Sequence, residues 1–478
     1  MASVTCPKPP ATLRDVESPT PTRYARVSTW RLTLLLAPFA FLGGMVADRA
    51  VVHAEKAPPP TTGAYKQLDL FARVLSYVEN NYVEPVDDTQ LIYGAIKGMM
   101  DTLDPHTLFM PPDMFKDMKV DTSGEYGGLG IEVAEKNETL TVVTPLDDTP
   151  AARAGIKPGD QLLKIDGEST HEMGLAGSIK KMKGPPGSRC SLTVMREGFK
   201  EPRDFIILRE RIRIVSVDSR LIDGYGYVKI KNFQDRTDRY LKNALDDLRE
   251  KNHGELKGLV LDLRNNPGGL LDQAVRVADR FLPGGELIVS TRGRGGKHME
   301  EERSHDRDTE PNYPLVVLVN GGSASASEIV AGALQDNSRG VILGTQTFGN
   351  GSVQTIIELE DGSGLKLTIA RYYTPKGRSI QELGITPDVA VKEPAGQDDV
   401  GPREVDLKRH FKHEGSDGAE VASAGQKVPA GASPPKDAST KQGSSDSSKV
   451  EDVQLKAAID YLKAWPPTTA SNSRAASH

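Results

Sequence analysis

Hydrophobic residues recur at helical spacing near the start of the folded part of this chain and in short strand-like runs after it. Apolar positions three and four residues apart between residues 68 and 78 predict a first helix, and the spacing between 91 and 99 predicts a second. From residue 126 to 208, short apolar runs alternate with glycine and proline turns. The pattern therefore predicts a helical N-terminal region followed by a small β-rich domain.

Strands and helices alternate in the part that follows. Apolar runs at 258–264 and 315–319 predict buried strands, and amphipathic patterns at 237–251 and 270–281 predict helices beside them. Alternation of this kind is typical of a mainly parallel sheet that carries helices on its faces. The predicted fold class of the whole chain is multidomain α/β, with helical, β-rich and α/β parts in that order.

The C-terminal part has a different composition. Residues 394–450 are rich in Gly, Ser, Ala, Pro, Lys and Asp. Such a segment buries too little apolar surface to offset the loss of chain entropy, which predicts disorder. A helical apolar spacing returns at Leu455, Ile459 and Leu462, and it predicts a terminal helix within 451–467 that docks back onto the chain.

The N-terminus has the pattern of a targeting segment. Three arginines between residues 23 and 31 precede an uncharged apolar run at 32–47, and a sequence that fits a cleavage site follows at 52–54. The run is short for a membrane span, which needs about 20 residues. We therefore expect residues 1–57 to be a signal sequence, or an anchor with a cytoplasmic tail, and the folded part to lie in the periplasm or cell envelope.

Charge and cysteine content exclude several classes of protein. The chain has 60 basic and 66 acidic residues and a net charge of −6, without a long basic block in its folded part, which argues against a nucleic-acid partner. Cys6 and Cys190 lie on either side of the apolar N-terminal run, so we expect no disulfide between them. The sequence lacks HExxH, paired CxxC and a phosphate-binding loop, and it predicts no metal and no cofactor.

A serine-rich turn follows the second of the two buried strands. It contains Ser323, Ser325 and Ser327. A serine can attack a peptide carbonyl if a base removes its proton and N–H donors stabilise the resulting oxyanion. Glycine-bearing turns, one of them at Gly268 and Gly269, offer such N–H groups without a side chain in the way. The residue types alone do not choose among the three serines.

Three motifs resemble those of one peptidase family. The chain contains Leu-Asp-Pro-His at 103–106, Ser-Ala-Ser-Ala-Ser-Glu at 323–328 and Thr-Phe-Gly-Asn-Gly at 347–351. Together with the β-rich domain between the first and the second, they resemble the carboxyl-terminal processing peptidases (tail-specific proteases), which are serine peptidases with a PDZ domain. The resemblance implies a crotonase-like α/β peptidase core and no cofactor.

The resemblance also implies roles for individual residues. It implies that Ser325 is the nucleophile and that Gln354 supports a general base. It further implies an oxyanion hole that is formed by the N–H of Ala326 and by that of Gly268 or Gly269. These residues are the candidate catalytic site of the peptidase core.

Position 350 departs from the family pattern. The family has a general-base lysine there, and this chain has Asn350. A carboxamide has no titratable amine, so Asn350 cannot act as a general base. Three interpretations stay open: another base, such as Lys366 or a loop lysine, serves Ser325; the chain binds peptides without cleaving them; or the residue is a sequence error or an engineered change.

A serine–histidine–aspartate triad is the competing arrangement. His298 and His305 lie in a charged loop without a strand to hold them, and His106 follows an Asp-Pro turn, where polar groups commonly cap the backbone. We therefore do not expect a histidine base. Glu328 and Asp336, on the helix after the serine turn, are expected to pair charges and to cap that turn.

The β-rich domain contains a second candidate site. Gly128, Leu129, Gly130 and Ile131 open a strand, and the turn Lys-Pro-Gly-Asp follows at 157–160. These features resemble a PDZ domain, in which N–H groups of the glycine loop bind the C-terminal carboxylate of a peptide that adds a strand to the sheet. The resemblance thus implies a peptide-binding site at these four residues. A glycine-started strand without a ligand is the alternative.

The predicted boundaries divide the chain into six parts. They are a signal sequence or anchor (1–57), a helical region (63–118), a PDZ domain (124–208), a peptidase core (209–393), a disordered linker (394–450) and a C-terminal helix (451–467). The PDZ domain and the peptidase core contain the two candidate sites.

The functional prediction follows from these two sites. We expect an exported, ATP-independent serine endopeptidase that recognises protein C-termini through its PDZ domain and processes or degrades envelope proteins. Its expected partners are protein substrates with free C-termini, an envelope adaptor protein and further copies of itself. Asn350 supports the alternative of a catalytically impaired pseudopeptidase that acts as a peptide-binding adaptor. A structural envelope scaffold is a third alternative.

Overall fold

A computed structural model gives the structure of the chain. The residues that it describes are 62–136, 138–296, 299–393, 401–413 and 452–465. The predicted signal sequence or anchor at 1–57 lies outside the described residues, as do most of the predicted linker and His298. Within the described residues, no helix is both long enough and apolar enough to cross a membrane.

Described residues 62–86 belong to a unit that is separate from the rest of the described chain. Its described part contains helix α1 (Thr62–Asn81), where the sequence predicts the first helix. Leu68, Phe71 and Val74 on this helix are exposed. The helical spacing is therefore present, and these three apolar side chains are exposed.

The second unit begins at Asp87 and contains all remaining described residues. The Asp87 carboxylate accepts a hydrogen bond from the first turn and so caps the second predicted helix, α2 (Asp88–Met100). A short strand, β1 (Leu108–Met110), and helix α3 (Pro112–Ser123) follow. Helix α3 ends at Gly124, which has the left-handed backbone that commonly closes a helix.

The residues after α3 form the predicted β-rich domain. Strand β2 (Glu125–Gly128) pairs with β9 (Glu210–Arg213), so the two ends of the domain meet. The elements between them are β3 (Ile131–Lys136), β4 (Thr139–Pro145), α4 (Pro150–Arg153), β5 (Gln161–Ile165), β6 (Glu168–Ser169), α5 (Thr170–Met182), β7 (Arg189–Met195) and β8 (Arg203–Leu208). The strands form an antiparallel sheet in the order β3-β4-β5-β7-β8, with β6 beside β5.

The next part contains a six-stranded sheet with helices, which confirms the predicted α/β core. Its strands, in spatial order, are β10 (Val217–Ile222), β11 (Tyr225–Ile230), β12 (Leu259–Asp262), β15 (Leu315–Val319), β16 (Val341–Gly344) and β19 (Val389–Ala390). The first two strands are antiparallel, and all later neighbours are parallel. Apolar side chains of α6 (Thr237–Lys251), α7 (Leu271–Asp279) and α8 (Ala326–Asp336) pack against this sheet.

The remaining strands form a second sheet, which is antiparallel. They are β13 (Leu287–Gly293), β14 (Glu300–Arg303), β17 (Ser352–Glu358) and β18 (Gly364–Tyr373). Strand β18 pairs with β13, with β17 and with β1 of the N-terminal region. The region predicted to be helical therefore contributes a strand to the core. Its sequence gives no sign of this, because three residues are too few to show a strand alternation.

The terminal helix docks onto the α/β core. Helix α9 (Val453–Ala464) buries the three apolar residues of the predicted spacing against side chains of β12, β15 and β16. Arg264, close after β12, forms ion pairs with Asp262 and with Asp452, whose carboxylate caps α9. Apolar packing and a buried guanidinium thus hold the end of the chain on the sheet.

One segment that the composition predicts to be disordered is ordered. Residues 401–413, here called the strap, contain a short 3-10 turn at Glu404–Asp406. Glu404 is fully buried, and its carboxylate pairs with His106 and with Gln381. The prediction of disorder is wrong for this segment because polar contacts with the core order it, and composition does not reveal such contacts.

Candidate active site

The three serines of the predicted nucleophile turn have different environments. Ser323 is fully buried, and its hydroxyl donates to the carbonyl of Leu263 at 2.8 Å. Ser327 is also fully buried and donates to the carbonyl of Asn266 at 2.9 Å. Ser325 is half-buried and lies directly before helix α8. Two of the hydroxyls thus stabilise the turn, and Ser325 is the one of the three serines that is partly exposed.

The backbone of Ser325 is strained. Its φ is +53° and its ψ is −112°, values that a residue with a side chain rarely adopts. Its N–H donates to the carboxylate of Glu328 at 2.8 Å, which helps to hold this conformation. A sharp turn between strand β15 and helix α8 places the serine at the positive end of the helix, as a nucleophile requires.

The predicted oxyanion residues lie around Ser325. A side chain at Gly268 would put its Cβ 2.9 Å from Ser325 Cβ and 3.0 Å from Ala326 N, so the two turns can approach only because this residue is glycine. The N–H of Gly268 donates to Asn266 Oδ1 at 2.9 Å. Among the described residues, the N–H groups of Ala326 and Gly269 have no hydrogen-bond partner. Of the three predicted donors, these two are therefore available to an oxyanion.

Asn266 joins the glycine turn to the serine turn, and sequence reasoning missed it. Its fully buried side chain accepts from Gly268 and donates from Nδ2 to the carbonyl of Ile230 at 2.9 Å. Its own carbonyl accepts the N–H of Ala324 and the hydroxyl of Ser327. A buried carboxamide whose donor and acceptor are both used fixes the turn against the sheet. The only sequence signal is an asparagine before Pro-Gly-Gly.

The loop at 347–351, which contains Asn350, is held next to Ser325 by one carboxylate. Glu328 Oε2 accepts the N–H of Ser325 at 2.8 Å and the N–H of Asn350 at 3.0 Å. Because one oxygen binds both, the two amide nitrogens lie within about 6 Å of each other. Glu328 Oε1 accepts the N–H of Gly349 at 2.7 Å and a loop hydroxyl. The structure thus brings position 350 to the predicted nucleophile.

Glu328 is fully buried although its side chain is a titratable carboxyl group. Burial raises the pKa of its carboxyl to about 7, and the hydrogen bonds from Thr347, Gly349, Ser325 and Asn350 oppose this shift because they favour the charged form. The carboxyl therefore changes its charge near neutral pH, in contact with both the serine turn and the 347–351 loop. Glu328 caps the serine turn as expected, and it also contacts the loop.

The Asn350 side chain belongs to a short chain of hydrogen bonds. Its Oδ1 accepts the hydroxyl of Ser352 at 2.6 Å, and Ser352 Oγ accepts Nε2 of Gln354 at 2.6 Å. The predicted residues Asn350 and Gln354 are therefore linked through Ser352, which sequence reasoning did not single out. Among the described residues, no lysine, histidine or carboxylate side chain forms a hydrogen bond with Ser325 Oγ.

A groove of about 210 Å³ between strand β3 and helix α5 contains the second candidate site. Its mainly apolar lining consists of Tyr126, Leu129, Gly130, Ile131, Glu132, Val133, Ile179, Met182 and Lys183. Gly128, the remaining predicted residue, ends strand β2 just before the groove. Within the described part of the chain, β3 is the edge strand of its sheet, so an added strand can pair with it.

The loop that leads into β3 has free N–H groups. Those of Leu129 and Gly130 have no hydrogen-bond partner among the described residues. Gly130 has a φ of +75°, and a Cβ there would lie 2.4 Å from the side chain of Thr149, so the loop requires glycine. Free backbone N–H groups beside an apolar groove are suited to a carboxylate with an apolar side chain next to it.

Comparison with known proteins identifies the family. Family models described as peptidase family S41, PDZ domain and the N-terminal domain of the activating protease CtpB match residues 224–391, 141–196 and 44–113. The carboxy-terminal-processing protease of Bartonella bacilliformis is 47% identical over 353 residues, which cover 73% of this chain and 81% of that protein. The chain belongs to the carboxyl-terminal processing proteases.

Two further proteases of this family are similar. The carboxyl-terminal-processing protease of Synechocystis sp. is 37% identical over 326 residues, or 66% of this chain and 75% of that protein. The carboxy-terminal processing protease CtpA of Bacillus subtilis is 35% identical over 336 residues, or 70% of this chain and 71% of that protein. The resemblance that the motifs indicate is therefore confirmed, and the protein is a serine-type peptidase with a PDZ domain.

Lys366, the alternative base, lies away from the serine turn of the protease. It pairs with Ile356 in the β17–β18 ladder. Ile356 lies four residues beyond Ser352, or about 13 Å further along the strand. Burial lowers the pKa of Lys366, while the charge of Asp104 opposes this shift. A lowered pKa favours the neutral amine, but the register of the strands does not bring this amine to Ser325.

The histidines have other surroundings. His106 Nε2 lies 2.7 Å from a carboxylate oxygen of Glu404, and the N–H of His106 donates to Asp104, as expected for a capped turn. His305 is exposed beside Asp279. In the described residues, no group of three or more His, Cys, Asp or Glu side chains is placed to hold a metal ion.

We expect the stability of the protease to depend on pH through Glu328. Its pKa is about 7 in the folded chain, above its usual value of 4.5, so folding takes up a proton between these pH values. The stabilisation from neutral Glu328 is complete below pH 4.5 and is lost as the pH rises through 7, a change of about 3 kcal/mol. The Glu328→Gln variant lacks this titration, so rising pH should destabilise the wild type relative to the variant.

Urea unfolding of the wild type and of Glu328→Gln between pH 4.5 and 8 measures this difference in the free energy of unfolding. Glu360→Gln, which removes an exposed carboxylate, is the matched control. A difference between wild type and Glu328→Gln that stays constant over this range would show that the pKa of Glu328 is not raised.

Proposed function

We propose that this protease is an exported, ATP-independent serine endopeptidase. It binds the C-terminus of an envelope protein and cleaves that substrate with Ser325 as the nucleophile. One observation carries the proposal: Ser325 is partly exposed, and the residue after it has an available N–H. Delivery of substrates by an envelope adaptor and self-association belong to the same proposal. The exposed Leu68, Phe71 and Val74 of α1 support self-association, because exposed apolar side chains often mark an interface.

In the proposed reaction, Ser325 Oγ attacks the carbonyl carbon of the scissile peptide bond, and the carbonyl oxygen becomes an oxyanion. The N–H of Ala326, together with that of Gly269, donates to this oxyanion, and the positive end of α8 stabilises its charge. The serine proton leaves during the attack and is later passed to the departing amine. A base has to carry this proton, and the carboxamide of Asn350 cannot do so.

The alternative function is that of a pseudopeptidase that binds peptides through its PDZ domain and releases them uncut. Two observations favour it: Asn350 cannot accept a proton, and no titratable side chain of the described residues hydrogen-bonds with Ser325 Oγ. Loss of a general base typically lowers the rate by about 10²–10⁴-fold. The two functions therefore differ in turnover rather than in the peptides that they bind.

We propose that the C-terminus of the substrate binds in the groove between β3 and α5. The N–H groups of Leu129 and Gly130 bind its carboxylate, and its main chain pairs with the open edge of β3. The last side chain of the substrate contacts Ile179 and Met182 in the groove. This apolar lining supports a preference for an apolar C-terminal residue.

Cleavage of an unstructured protein with an apolar C-terminus tests the proposed function. We expect Ser325→Ala to abolish cleavage because it removes the attacking oxygen. Asn350→Lys should raise kcat/KM by at least about 10²-fold because it supplies an amine that can take up the serine proton. Asn350→Gln is the matched control, which keeps a carboxamide and should gain no activity. Mass spectrometry of the products gives the rates.

The outcomes of this assay separate the two functions. If the wild type cleaves and Ser325→Ala does not, another base serves Ser325 and the peptidase function stands. If only Asn350→Lys cleaves, the natural chain is a peptide-binding protein on a peptidase fold. Equal cleavage by the wild type and by Ser325→Ala would exclude Ser325 as the nucleophile.

Peptide binding tests the groove. In Ser325→Ala, which leaves peptides intact, a peptide with an apolar last residue and a free carboxylate should bind at least about 10-fold more tightly than its C-terminal amide, because the N–H groups favour a charged acceptor. Ile179→Asp should weaken binding, whereas Ile206→Asp, at an exposed position of edge strand β8, should not. Titration calorimetry measures these affinities, and equal affinities for acid and amide would contradict the groove assignment.

A reporter fusion tests export. Residues 1–57 joined to an alkaline phosphatase that folds only with its disulfides should give activity in bacterial cells, because those bonds form outside the cytoplasm. Leu35→Arg interrupts the apolar run and should abolish the activity, whereas Leu13→Arg, outside the run, should not. An inactive fusion with the native segment would contradict the proposed export.

A further inference from the structure

The strap at 401–413 lies beyond residues 224–391, which the peptidase family model matches, and it contacts the 347–351 loop. The guanidinium of Arg403 donates from Nε to the carbonyl of Thr347 at 3.2 Å. The N–H of Glu404 donates to the carbonyl of Phe348 at 3.2 Å. Two consecutive carbonyls of the loop are thus bound by two consecutive residues of the strap.

The Glu404 side chain reaches the loop through a second residue. Its Oε1 accepts Nε2 of Gln381 at 2.8 Å, and Oε1 of Gln381 accepts the N–H of Gly351 at 3.1 Å. Glu404 and Gln381 are both fully buried. The carboxamide of Gln381 can rotate so that its oxygen and nitrogen exchange places. Glu404 accepts from the nitrogen and so fixes the oxygen as the atom that faces Gly351. Glu404 therefore sets the acceptor for the N–H directly after Asn350.

Contacts between histidines and carboxyl groups fasten the strap to the core. His106 Nε2 lies 2.7 Å from the second carboxyl oxygen of Glu404, so both oxygens of this buried group have a hydrogen-bond partner. At the other end, His410 Nε2 and His413 Nδ1 each lie 2.6 Å from an oxygen of Glu382. The N–H of Glu382 in turn donates to the carbonyl of Gly349 at 2.9 Å.

The loop is therefore held from two sides. On the helix side, the carboxylate of Glu328 binds N–H groups of Gly349 and Asn350. On the other side, the strap and the turn at 381–383 bind the carbonyls of residues 347–349 and the N–H of Gly351. Removal of either side leaves buried polar groups of the loop without partners, which costs free energy and loosens the loop.

We propose that Arg403 and Glu404 of the strap are positioning residues that hold the 347–351 loop, and with it position 350, against Ser325. The inference rests on the proposed function in so far as Ser325 and position 350 form the catalytic site. The two strap residues act through the loop and take no part in the chemistry. The strap is thus a part of the active-site framework that lies outside the matched peptidase domain.

Hydrogen exchange of the backbone amides at 349–351 tests the positioning. In Glu404→Ala, Gln381 loses the group that orients it, so exchange at these amides should accelerate at least about 10-fold. Glu404→Gln should keep the exchange of the wild type, because its carboxamide can still accept from Gln381 and can donate to His106. Lys408→Ala, at an exposed position of the strap, is the matched control and should also leave exchange unchanged.

Exchange in the PDZ domain reports whether a variant is folded. If Glu404→Ala does not fold, Arg403→Ala replaces it, because Arg403 is only half-buried and its loss still frees the carbonyl of Thr347. Unchanged exchange at 349–351 in a variant with normal PDZ exchange overturns the proposal.

Kinetics separate the strap from the proposed function. In an Asn350→Lys chain that cleaves, Glu404→Ala should lower kcat at least about 10-fold and leave KM within about twofold, because the strap positions the base and binds no substrate. An unchanged kcat overturns the positioning role. If neither the wild type nor Asn350→Lys cleaves, the proposed function fails, and the exchange experiment still decides whether the strap holds the loop.

Discussion

A single buried carboxylate holds the reactive part of this protease together. Glu328 binds the N–H of Ser325. It also binds two N–H groups of the 347–351 loop, 21 and 22 residues further along the chain. No local preference keeps a serine at a φ of +53°, so the strained turn depends on acceptors that the tertiary structure supplies. The same carboxylate fixes the distance between the serine turn and the loop. Ser325 and position 350 therefore belong to one structural unit, and one buried carboxyl group maintains it.

The order of the parts could be predicted from the sequence because apolar periodicity records which face of an element is buried. The choice among the serines could not. It depends on which hydroxyls meet a buried carbonyl, and Ser323 and Ser327 find theirs on residues 60 and 61 positions away. The roles of Asn266 and Ser352 could not be predicted for the same reason, because they are hydrogen bonds that form only after folding. Family resemblance supplied Ser325, and the structure supplies a physical reason for it.

Composition misled where order comes from polar contacts. The strap has few apolar residues, yet a fully buried Glu404 and paired histidines hold it to the core. A rule based on apolar burial classifies such a segment as disordered, since it assigns no stabilisation to polar side chains that form hydrogen bonds with the core. Strand β1 was missed for a related reason, since its three residues form a strand only because β18 is there to pair with them. In both cases the ordering partner is far away in the sequence.

The side chain at position 350 bears on the chemistry of the candidate site more than on its shape. The backbone N–H at this position is bound by Glu328, and the neighbouring loop groups are bound by Gln381 and Arg403, so none of these contacts needs a particular side chain at 350. The Asn350 carboxamide adds a hydrogen bond to Ser352 and so remains compatible with the loop. A loop that is fixed through its backbone keeps its geometry whichever side chain stands at position 350. The structure around Ser325 therefore does not depend on a titratable side chain at that position.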